Sequence, residues 1–286
     1  MSSAVTMKSL KSLTQRRLSA YADPSRYYRR AKHFVVNTIL GWGIPLRVTT
    51  TVGDLKVQFL VTSFIEYMLR AKLSYTREKV TMDWINNCIS ADDVVYDIGA
   101  NVGAYSLLIG KKIGRGNGKV LAFEPESANF FSLNRNILLN GLSGKVIPYA
   151  TAFGDKARAG EFYLSSTVPG SAMHGVDRPE SDGVKFDAKH VQGIYVVSVD
   201  EFVRGGAVPA PNHIKIDVDG SELSIVSSMP HLLADPKLRT IMIEIAEDVS
   251  KGRIEQTLLN AGFVEREREK WDGKNVYNIL YARPSH

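Results

Sequence analysis

A glycine-bearing turn with acidic side chains on either side is the segment of this sequence whose residue types best suit ligand binding. A β-branched run over Val94–Ile98 enters the turn Asp97-Ile-Gly-Ala-Asn-Val-Gly103, and Glu124 lies 21 residues beyond Gly103. Glycines let the backbone turn sharply and let a ligand approach closely, and a helix that follows presents free N–H groups. A carboxylate at the end of the next strand can accept hydrogen bonds from both hydroxyls of a ribose. The spacing suits a nucleoside site at this turn, and the alternative is a purely structural turn, because many turns of this kind need glycine.

The polar residues of the turn indicate which kind of nucleoside it would hold. Asp97 precedes the first glycine, Gly99, and Asn101 stands where the dinucleotide fingerprint G-x-G-x-x-G has its middle glycine. A carboxylate beside the turn would repel a pyrophosphate, but it suits a cationic group such as an ammonium or a sulfonium. An NAD-linked oxidoreductase is therefore the weaker interpretation.

A second acidic block could supply the chemistry. Lys215, Asp217, Asp219 and Glu222 follow one another where a predicted strand over 213–216 meets its helix. A carboxylate there could take the proton from an attacking hydroxyl, or could be one ligand of a divalent ion that acidifies it. Asp219-Gly-Ser-Glu222 also has the spacing of an N-capping box, which would make both acids structural. Lys215 could neutralise the cluster instead of contacting a substrate.

Two further candidates lie elsewhere in the chain. His174 belongs to an irregular section from about Ser165 to Gln192, which is long for a compact domain and so favours a lid or a binding loop. His174 could act there as a general base, or it could be a solvated loop residue. Glu244 lies inside a predicted strand and faces the site in half of the registers that the strand could adopt. Otherwise it is a buried acid paired with a neighbour.

Short apolar strands alternate with helices from Asp93 onward, which predicts a parallel sheet covered on both faces. In such sheets ligands bind beyond the carboxyl ends of the strands, where the strand order reverses. Ahead of the sheet, the sequence predicts a hairpin over 46–52 and 55–61 and helices over 63–72 and 76–89. The predicted strands of the sheet are 94–98, 119–123, 146–150, 213–216, 239–245, 263–268 and 275–282, and its helices are 105–113, 126–140, 221–229 and 253–261.

Six short blocks share their order and spacing with one known family. They are Asp97-Ile-Gly-Ala-Asn-Val-Gly-Ala-Tyr-Ser106, Ala122-Phe-Glu-Pro-Glu126, Asn136-Ile-Leu-Leu-Asn-Gly141, Ala152-Phe-Gly-Asp155, Ser198-Val-Asp-Glu-Phe202 and Ile214-Lys-Ile-Asp-Val-Asp-Gly-Ser-Glu222. Together they resemble the class I S-adenosylmethionine-dependent methyltransferases, and within these the FkbM-type family. The resemblance covers roughly residues 75–285. It implies an α/β fold with a doubly wound, mostly parallel, seven-stranded Rossmann-like sheet that ends in an antiparallel pair, preceded by a small N-terminal cap.

The resemblance also implies S-adenosylmethionine as the cofactor and a place for each part of it. Asp97, Gly99, Asn101 and Gly103, with Tyr105 and Ser106 in the same block, would hold the methionine end and the ribose, Glu124 the ribose hydroxyls, Asp155 the adenine amine and Glu78 the methionine part, with Asp217 over the cofactor. The expected reaction is O-methylation of a hydroxyl on a small molecule, sugar or glycan. Asp217, Asp219, Glu244 and His174 are the candidate catalytic residues. A divalent metal is compatible with this chemistry, but no residue is assigned as a metal ligand.

The charge of the chain divides it into an arm and a body. Residues 1–33 hold eight basic side chains and one acid, and the rest holds 28 basic and 29 acidic ones, so the net charges are +7 and −1. We expect a basic arm and apolar segment over 1–45, a hairpin and helical cap over 46–90, and the methyltransferase domain over 91–286. The arm could be a solvated tail or could contact an anionic membrane surface peripherally. The single cysteine indicates a reduced compartment, and no apolar run reaches the roughly 20 residues of a membrane span, so we expect a cytoplasmic protein.

Two absences disfavour nucleic-acid bases as the methyl acceptor. No Asn/Asp-Pro-Pro-Tyr tetrapeptide follows the strand over 213–216, and the chain has no Pro-Cys pair for attack on a pyrimidine ring. The expected acceptor is therefore a small molecule or a carbohydrate. The alternative function is non-catalytic: the same fold would bind a cofactor or nothing, and the arm would mediate assembly or membrane contact. The sequence favours no particular oligomeric state.

Overall fold

The computed structural model describes residues 24–205, 208–271 and 275–284, and the chain forms two compact units that divide after Ile44. The first unit contains helix α1, Pro24–Gly41. Most of the predicted basic arm, residues 1–23, lies outside the described residues. None of the described helices combines the length and the apolar character that a membrane crossing requires.

The second unit contains all the described strands and the remaining described helices. The strands are β1 (Leu46–Val52), β2 (Leu55–Val61), β3 (Val94–Ile98), β4 (Lys119–Phe123), β5 (Val146–Tyr149), β6 (Ala152–Phe153), β7 (Arg158–Leu164), β8 (Gly175–Val176), β9 (Glu180–Ser181), β10 (Val184–Lys185), β11 (His190–Val197), β12 (His213–Ile216), β13 (Thr240–Ala246), β14 (Val264–Lys270) and β15 (Val276–Ala282). The helices are α2 (Glu66–Leu73, of π type), α3 (Ser74–Arg77), α4 (Lys79–Cys88), α5 (Ala104–Ile113), α6 (Ser127–Leu139), α7 (Val199–Gly205), α8 (Glu222–Ser227), α9 (Pro230–Ala234), α10 (Glu247–Ser250) and α11 (Arg253–Asn260).

A seven-stranded sheet in the order β14-β15-β13-β12-β3-β4-β5 is the centre of this unit. The five strands from β13 to β5 run parallel, and β15 and β14 complete the sheet as an antiparallel pair. This confirms the predicted doubly wound, mostly parallel sheet, and each of its strands lies within two residues of the predicted bounds. The strand order reverses between β3 and β12, so the carboxyl ends of these two strands are where a ligand site is expected.

The core alternates along the strands as the pleat requires. Tyr96 and Ile98 of β3 and Leu121 and Phe123 of β4 enter one continuous apolar cluster, which α7, α8, α9 and α11 complete. Val95, which precedes Tyr96 and faces the other way, is also buried, because α4 and α5 pack against the sheet on its opposite face. The sheet is therefore covered on both sides, and its residues near the strand ends are held rigidly.

A second sheet was not predicted. Strands β6, β11, β7 and β8 form a four-stranded sheet, in which β11 pairs with β7 along its whole length and with β6 at its end. Strands β9 and β10 form a separate short pair. The predicted irregular section from Ser165 to Gln192 is therefore wrong in part, because it contains β8, β9, β10 and the start of β11. The partner of β11 is β7 (Arg158–Leu164), which precedes that section. The two paired strands are therefore separated by about 25 residues of chain.

The cap ahead of the sheet follows its prediction with one difference. The hairpin of β1 and β2 has the predicted bounds, and the side chains of Asn136 and Asn140 on α6 bond the backbone of β2. The predicted helix over 76–89 is interrupted at Glu78, whose φ of −114° and ψ of 81° are not helical. Glu78 therefore lies at a break between α3 and α4, and its backbone does not continue either helix. The predicted capping box is wrong, because Glu222 is the first residue of α8 and its side chain accepts the N–H groups of Val218 and Gly220.

Candidate functional site

A first cleft of about 680 Å³ lies at the carboxyl ends of β3, β4 and β12. Residues that directly follow these strands line it: Gly99 and Asn101 after β3, Glu124 after β4, and Asp217 and Asp219 after β12. The aromatic rings of Phe123, Phe153 and Phe162 also line it. The first cleft therefore combines polar groups from the switch point of the sheet with flat apolar walls.

The glycine turn closes tightly on the neighbouring strand. Gly99 has a φ of +83°, and a Cβ at this position would lie 1.8 Å from the backbone oxygen of Asp217. Gly103 has a φ of +91°, and a Cβ there would lie 2.6 Å from Cδ1 of Leu133. Any larger residue would therefore force these segments apart. The close approach that Gly99 permits is to the end of β12, and this approach brings Asp217 to the turn.

Glu124 is held at the wall of the first cleft by the backbone. Its Oε2 accepts the N–H of Asn101 and its Oε1 accepts the N–H of Glu126, both at 2.8 Å. The side chain is 5% exposed, and burial raises the pKa of Glu124 to about 8. Each carboxylate oxygen has a second acceptor position, so both can still bind a hydroxyl.

A short segment of the predicted lid, Gly170 and Ser171, forms hydrogen bonds to several elements beside the first cleft. The Ser171 carbonyl accepts the side-chain amides of Asn101 at 2.7 Å and of Asn129 at 3.1 Å. The Gly170 N–H donates to Asn129 Oδ1 at 2.7 Å, and the Gly170 carbonyl accepts Nε of Arg70 at 2.9 Å. This segment thus joins the cap, the glycine turn and α6, and Ser171 itself lines the cleft.

His174 lines the first cleft in one defined tautomer. Its Nδ1 accepts the backbone N–H of Ser165 at 3.2 Å, so the neutral ring carries its proton on Nε2. That Nε2 is buried and has no hydrogen-bond partner among the described residues. Burial lowers the pKa of His174, which favours the neutral ring. His174 can therefore donate a hydrogen bond into the cleft, but it has no free lone pair to accept a proton, which argues against the predicted role as general base.

A second cleft of about 930 Å³ adjoins the first. The two share Arg70, Ala172, Asp217 and Asp219 as common walls. Further residues of the second cleft are Leu69, Ser74, Arg77, Glu78, Met173, Asp182, Glu244, Trp271 and Val276. The structure thus brings the predicted residues Glu78, Asp217, Asp219 and Glu244 together, and it places the acids of the second sequence block at the boundary of the two clefts.

Lys215 and Asp217 form an ion pair beside this boundary. Nζ of Lys215 lies 2.7 Å from Oδ2 of Asp217, and it lies 5.1 Å from the ring centre of Tyr105. Burial acts to lower the pKa of Lys215, but the charges of Asp217, Asp97 and Glu78 raise it overall. Lys215 is therefore charged at neutral pH, and it neutralises part of the acidic cluster, as one of the sequence alternatives stated.

Glu244 and Asp219, two further acids of the second cleft, differ in their affinity for a proton. Burial raises the pKa of Glu244 to about 10, so its side chain is protonated at neutral pH. Burial and the charge of Asp217 raise the pKa of Asp219 to about 7. Oδ2 of Asp219 accepts the backbone N–H of Met173 at 2.6 Å, which fixes the carboxylate at the cleft wall. Asp219 is therefore the acid of the cluster whose pKa best suits proton transfer near neutral pH.

Several predicted residues do not line either cleft. Asp97 is buried beneath the turn, where Oδ2 accepts the hydroxyl of Ser106 and Oδ1 has no donor among the described residues. Tyr105 is also buried, and its hydroxyl donates to the Ser74 carbonyl. Asp155 is exposed and lies 3.7 Å from Nε of Arg158, outside the lining of the first cleft. The adenine contact expected for Asp155 stays a prediction, and it would require Asp155 to turn from Arg158 toward the first cleft.

Other residues at the clefts were missed by the sequence analysis. They are Arg70, Arg77, Asn129, Phe153 and Trp271. Phe153 lies inside the matched block over 152–155 and Asn129 lies three residues after another, so the blocks and their flanks carried a signal for both. Arg70, Arg77 and Trp271 carry no local signal, because they reach the site only through the folding of the cap and the antiparallel pair. Within the described ranges no group of His, Cys, Asp or Glu side chains is arranged to hold a metal ion.

Comparison with known proteins gives the following similarities. The family model described as "Methyltransferase FkbM domain" matches residues 97–265. Hexuronic acid methyltransferase AglP of Haloferax volcanii is 29% identical over 171 residues, 59% of this chain and 63% of that protein. Methyltransferase 1 of Beauveria bassiana is 27% identical over 197 residues, 63% of this chain and 76% of that protein. A crystal structure of an FkbM methyltransferase from Methylobacillus flagellatus aligns with a TM-score of 0.46 at 19% identity, over 68% of this chain and 44% of that one. The matched part thus spans less than two thirds of the Haloferax protein.

Proposed function

Because the chain belongs to the family of the methyltransferase FkbM domain, we propose that it transfers a methyl group from S-adenosylmethionine to a hydroxyl of a small molecule or sugar. The observation that carries the proposal is the position of Glu124. A carboxylate oriented by two backbone N–H groups, at the switch point of a parallel sheet, suits the two hydroxyls of a ribose. The carbohydrate acceptor is supported by the name of the Haloferax relative, which acts on a hexuronic acid.

The residues of the first cleft fit the nucleoside part of this cofactor. The rings of Phe123, Phe153 and Phe162 line the first cleft and offer apolar surface to a purine. The unpartnered Nε2–H of His174 supplies a donor for an acceptor atom of the nucleoside. Asn101 and Gly99 bring the glycine turn to the ribose side. A cofactor that carries a sulfonium would place its charge near the acids at the boundary of the clefts.

The cofactor supplies an electrophilic methyl group, and the chain must align and deprotonate the acceptor hydroxyl. Asp219 lines both clefts and has a pKa of about 7, so its carboxylate can accept the hydroxyl proton. Asp217 is held by its ion pair with Lys215 at the boundary of the two clefts, where the sulfonium would lie. Glu244 is protonated at neutral pH, so it can donate a hydrogen bond to another oxygen of the acceptor. We propose Asp219 as the general base and Asp217 and Glu244 as binding groups.

The domain boundaries belong to the same proposal. The methyltransferase domain would extend over 91–286, and the cap over 46–90 would close the acceptor side, since Arg70, Ser74 and Arg77 line the second cleft. The arm over 1–45 would lie outside the catalytic part.

The proposal is tested in two stages. Calorimetric titration with S-adenosylhomocysteine should give micromolar binding, which Glu124→Ala should weaken at least tenfold. Cofactor with a labelled methyl group, incubated with a panel of neutral and acidic sugars, should then label an oxygen of one of them, and Asp219→Asn should abolish the labelling without changing cofactor affinity. Absence of S-adenosylhomocysteine binding by the folded protein would reject the proposal.

A further inference from the structure

Arg77 and Trp271 form a pair on the wall of the second cleft that the proposed reaction does not use. Arg77 is the last residue of α3, and Trp271 directly follows β14. Cζ of Arg77 lies 5.1 Å from the centre of the indole ring. The pair also lines a neighbouring cleft of about 740 Å³ with Thr76, Glu269 and Lys270. The pair therefore lies where these two clefts adjoin.

Arg77 has no carboxylate within ion-pair distance in the part of the chain that the structure describes. By contrast, the adjacent cation Lys79 pairs with Asp83, and Lys215 pairs with Asp217 inside the cleft. Stacking on an aromatic face holds a guanidinium in place while its N–H groups at the edge stay available for a planar anion. A bidentate carboxylate is the ligand that such an edge fits best.

The acids of the second cleft are partly neutralised. Lys215 pairs with Asp217 at 2.7 Å, burial raises the pKa of Glu244 to about 10, and burial also raises the pKa of Glu78. A second guanidinium, that of Arg70, lines the same cleft.

Asp182 and Asp219 are the other acids that line the second cleft, and Asp219 also lines the first. Asp217 and Asp219 therefore mark the boundary of the two clefts, whereas Arg77 lines only the second. Arg70 already donates to the Gly170 carbonyl and lines both clefts, so it would contact cofactor as well as acceptor. Arg77 lines only the acceptor side.

We propose that Arg77, held against Trp271, binds a carboxylate of the methyl acceptor, and that the acceptor is therefore a hydroxylated acid such as a uronic-acid sugar. This inference rests on the proposed function, because it takes the second cleft as the acceptor site. The acceptor carboxylate is bound by Arg77, and the acceptor hydroxyls are directed toward Asp219, which lines both clefts. Arg77 is then a specificity-determining residue and takes no part in proton transfer.

The test uses the full chain saturated with S-adenosylhomocysteine and compares two sugars of matched shape. Titration with methyl β-D-glucuronoside should give at least tenfold tighter binding than titration with methyl β-D-glucoside, and the difference should shrink as NaCl is raised. Arg77→Gln should abolish the preference and Arg77→Lys should retain part of it. The matched control is Arg135→Gln, because Arg135 also stacks on an aromatic ring, that of Phe131 at 5.3 Å, but it lines neither cleft.

The outcomes separate this inference from the function it rests on. Equal binding of the two sugars, no detectable binding of either, or an unchanged preference in Arg77→Gln would overturn the role of Arg77. If S-adenosylhomocysteine binds normally in those cases, the cofactor site stands and only the acceptor inference fails. If S-adenosylhomocysteine does not bind the wild-type chain, the proposed function itself is rejected. Unchanged S-adenosylhomocysteine affinity in Arg77→Gln also verifies that this variant is folded.

Discussion

The carboxylate of Glu124 accepts the backbone N–H of Asn101 at 2.8 Å, and this bond ties the end of β4 to the turn after β3. The two residues meet because Gly99 lets the turn bend back toward the neighbouring strands. One side chain therefore both stabilises the turn and faces the first cleft, so the shape of the turn and the polarity of the cleft depend on the same group.

Cofactor affinity should depend on the ionisation of Glu124. Ribose hydroxyls donate hydrogen bonds, so they bind the ionised carboxylate better than the protonated one. Because burial raises the pKa of Glu124 to about 8, we expect the affinity for S-adenosylhomocysteine to rise about tenfold between pH 7 and pH 9. Titration calorimetry across this range measures the rise. Glu124→Gln should bind more weakly at pH 9 and lose this dependence, and the same pH profile in both proteins would contradict the assignment.

Replacement of Gly99 should lower the free energy of unfolding by far more than its positive φ alone explains. Gly53, in the turn between β1 and β2, has a φ of +55°, and a Cβ added there would meet nothing within 4 Å, so Gly53→Ala measures the conformational cost, about 1 kcal/mol. Gly99→Ala adds a collision with the Asp217 carbonyl, and we expect it to lower the free energy of unfolding by about 3 kcal/mol or more. Urea unfolding of the two variants gives the comparison. Equal losses would mean that the turn relaxes without moving β12.

The pH dependence of methyl transfer should distinguish Asp219 from His174. With a pKa of about 7, Asp219 becomes active as a base as the pH rises through neutrality. Asp219→Asn should lower kcat by about two to four orders of magnitude and remove the rise in rate near pH 7. His174→Gln should weaken S-adenosylhomocysteine binding and leave the shape of the pH profile unchanged, because Nδ1 of His174 already accepts the Ser165 N–H. A profile that changes in His174→Gln and not in Asp219→Asn would reverse the two roles.

The buried acid Glu222 should make stability depend on pH. It is 5% exposed, and burial raises its pKa from 4.5 to about 8. A carboxyl that holds its proton more tightly in the folded state stabilises the fold below pH 4.5, and this contribution is lost as the pH rises toward 8. We expect this residue to lower the free energy of unfolding by up to about 1.4 kcal/mol per pH unit over that range. Glu222→Gln should flatten the dependence in urea unfolding at pH 5 to 8.

Glu201 provides the control for that measurement, because its pKa is shifted in the opposite direction. Hydrogen bonds from Ser198 lower the pKa of Glu201. Its carboxylate therefore stabilises the fold at any pH above 4.5, the ordinary pKa of a glutamate. Glu201→Gln should therefore leave the fall in stability between pH 5 and pH 8 unchanged. A flattening in both variants would show that general charge effects cause the dependence.

The five parallel strands of the main sheet could be predicted because each is short and buried and alternates with a helix. The ladder of β7 and β11 could not, since β11 begins with polar residues and its partner β7 ends about 25 residues earlier, with β8, β9 and β10 between them. At the site, the residues that directly follow strands, such as Glu124 and Asp217, could be predicted because topology alone brings strand ends together. Asp155 follows the short strand β6, yet it turns to Arg158 at the surface.

Contacts across long stretches of chain explain the rest. Arg70 reaches the site through the Gly170 carbonyl, 100 residues away, and Arg77 through Trp271. No local pattern marks either arginine, because each is defined by what the folded chain sets opposite it.

The Ser171 carbonyl accepts two hydrogen bonds, from the side-chain amides of Asn101 and Asn129. The nearby Pro169 carbonyl accepts the hydroxyl of Ser63 at 2.6 Å. These bonds converge on three consecutive residues, so any movement of this segment away from the first cleft would break several of them together. The residence time of spent cofactor would then be set by how often these hydrogen bonds break together. Turnover could be slow even where the chemical step is fast.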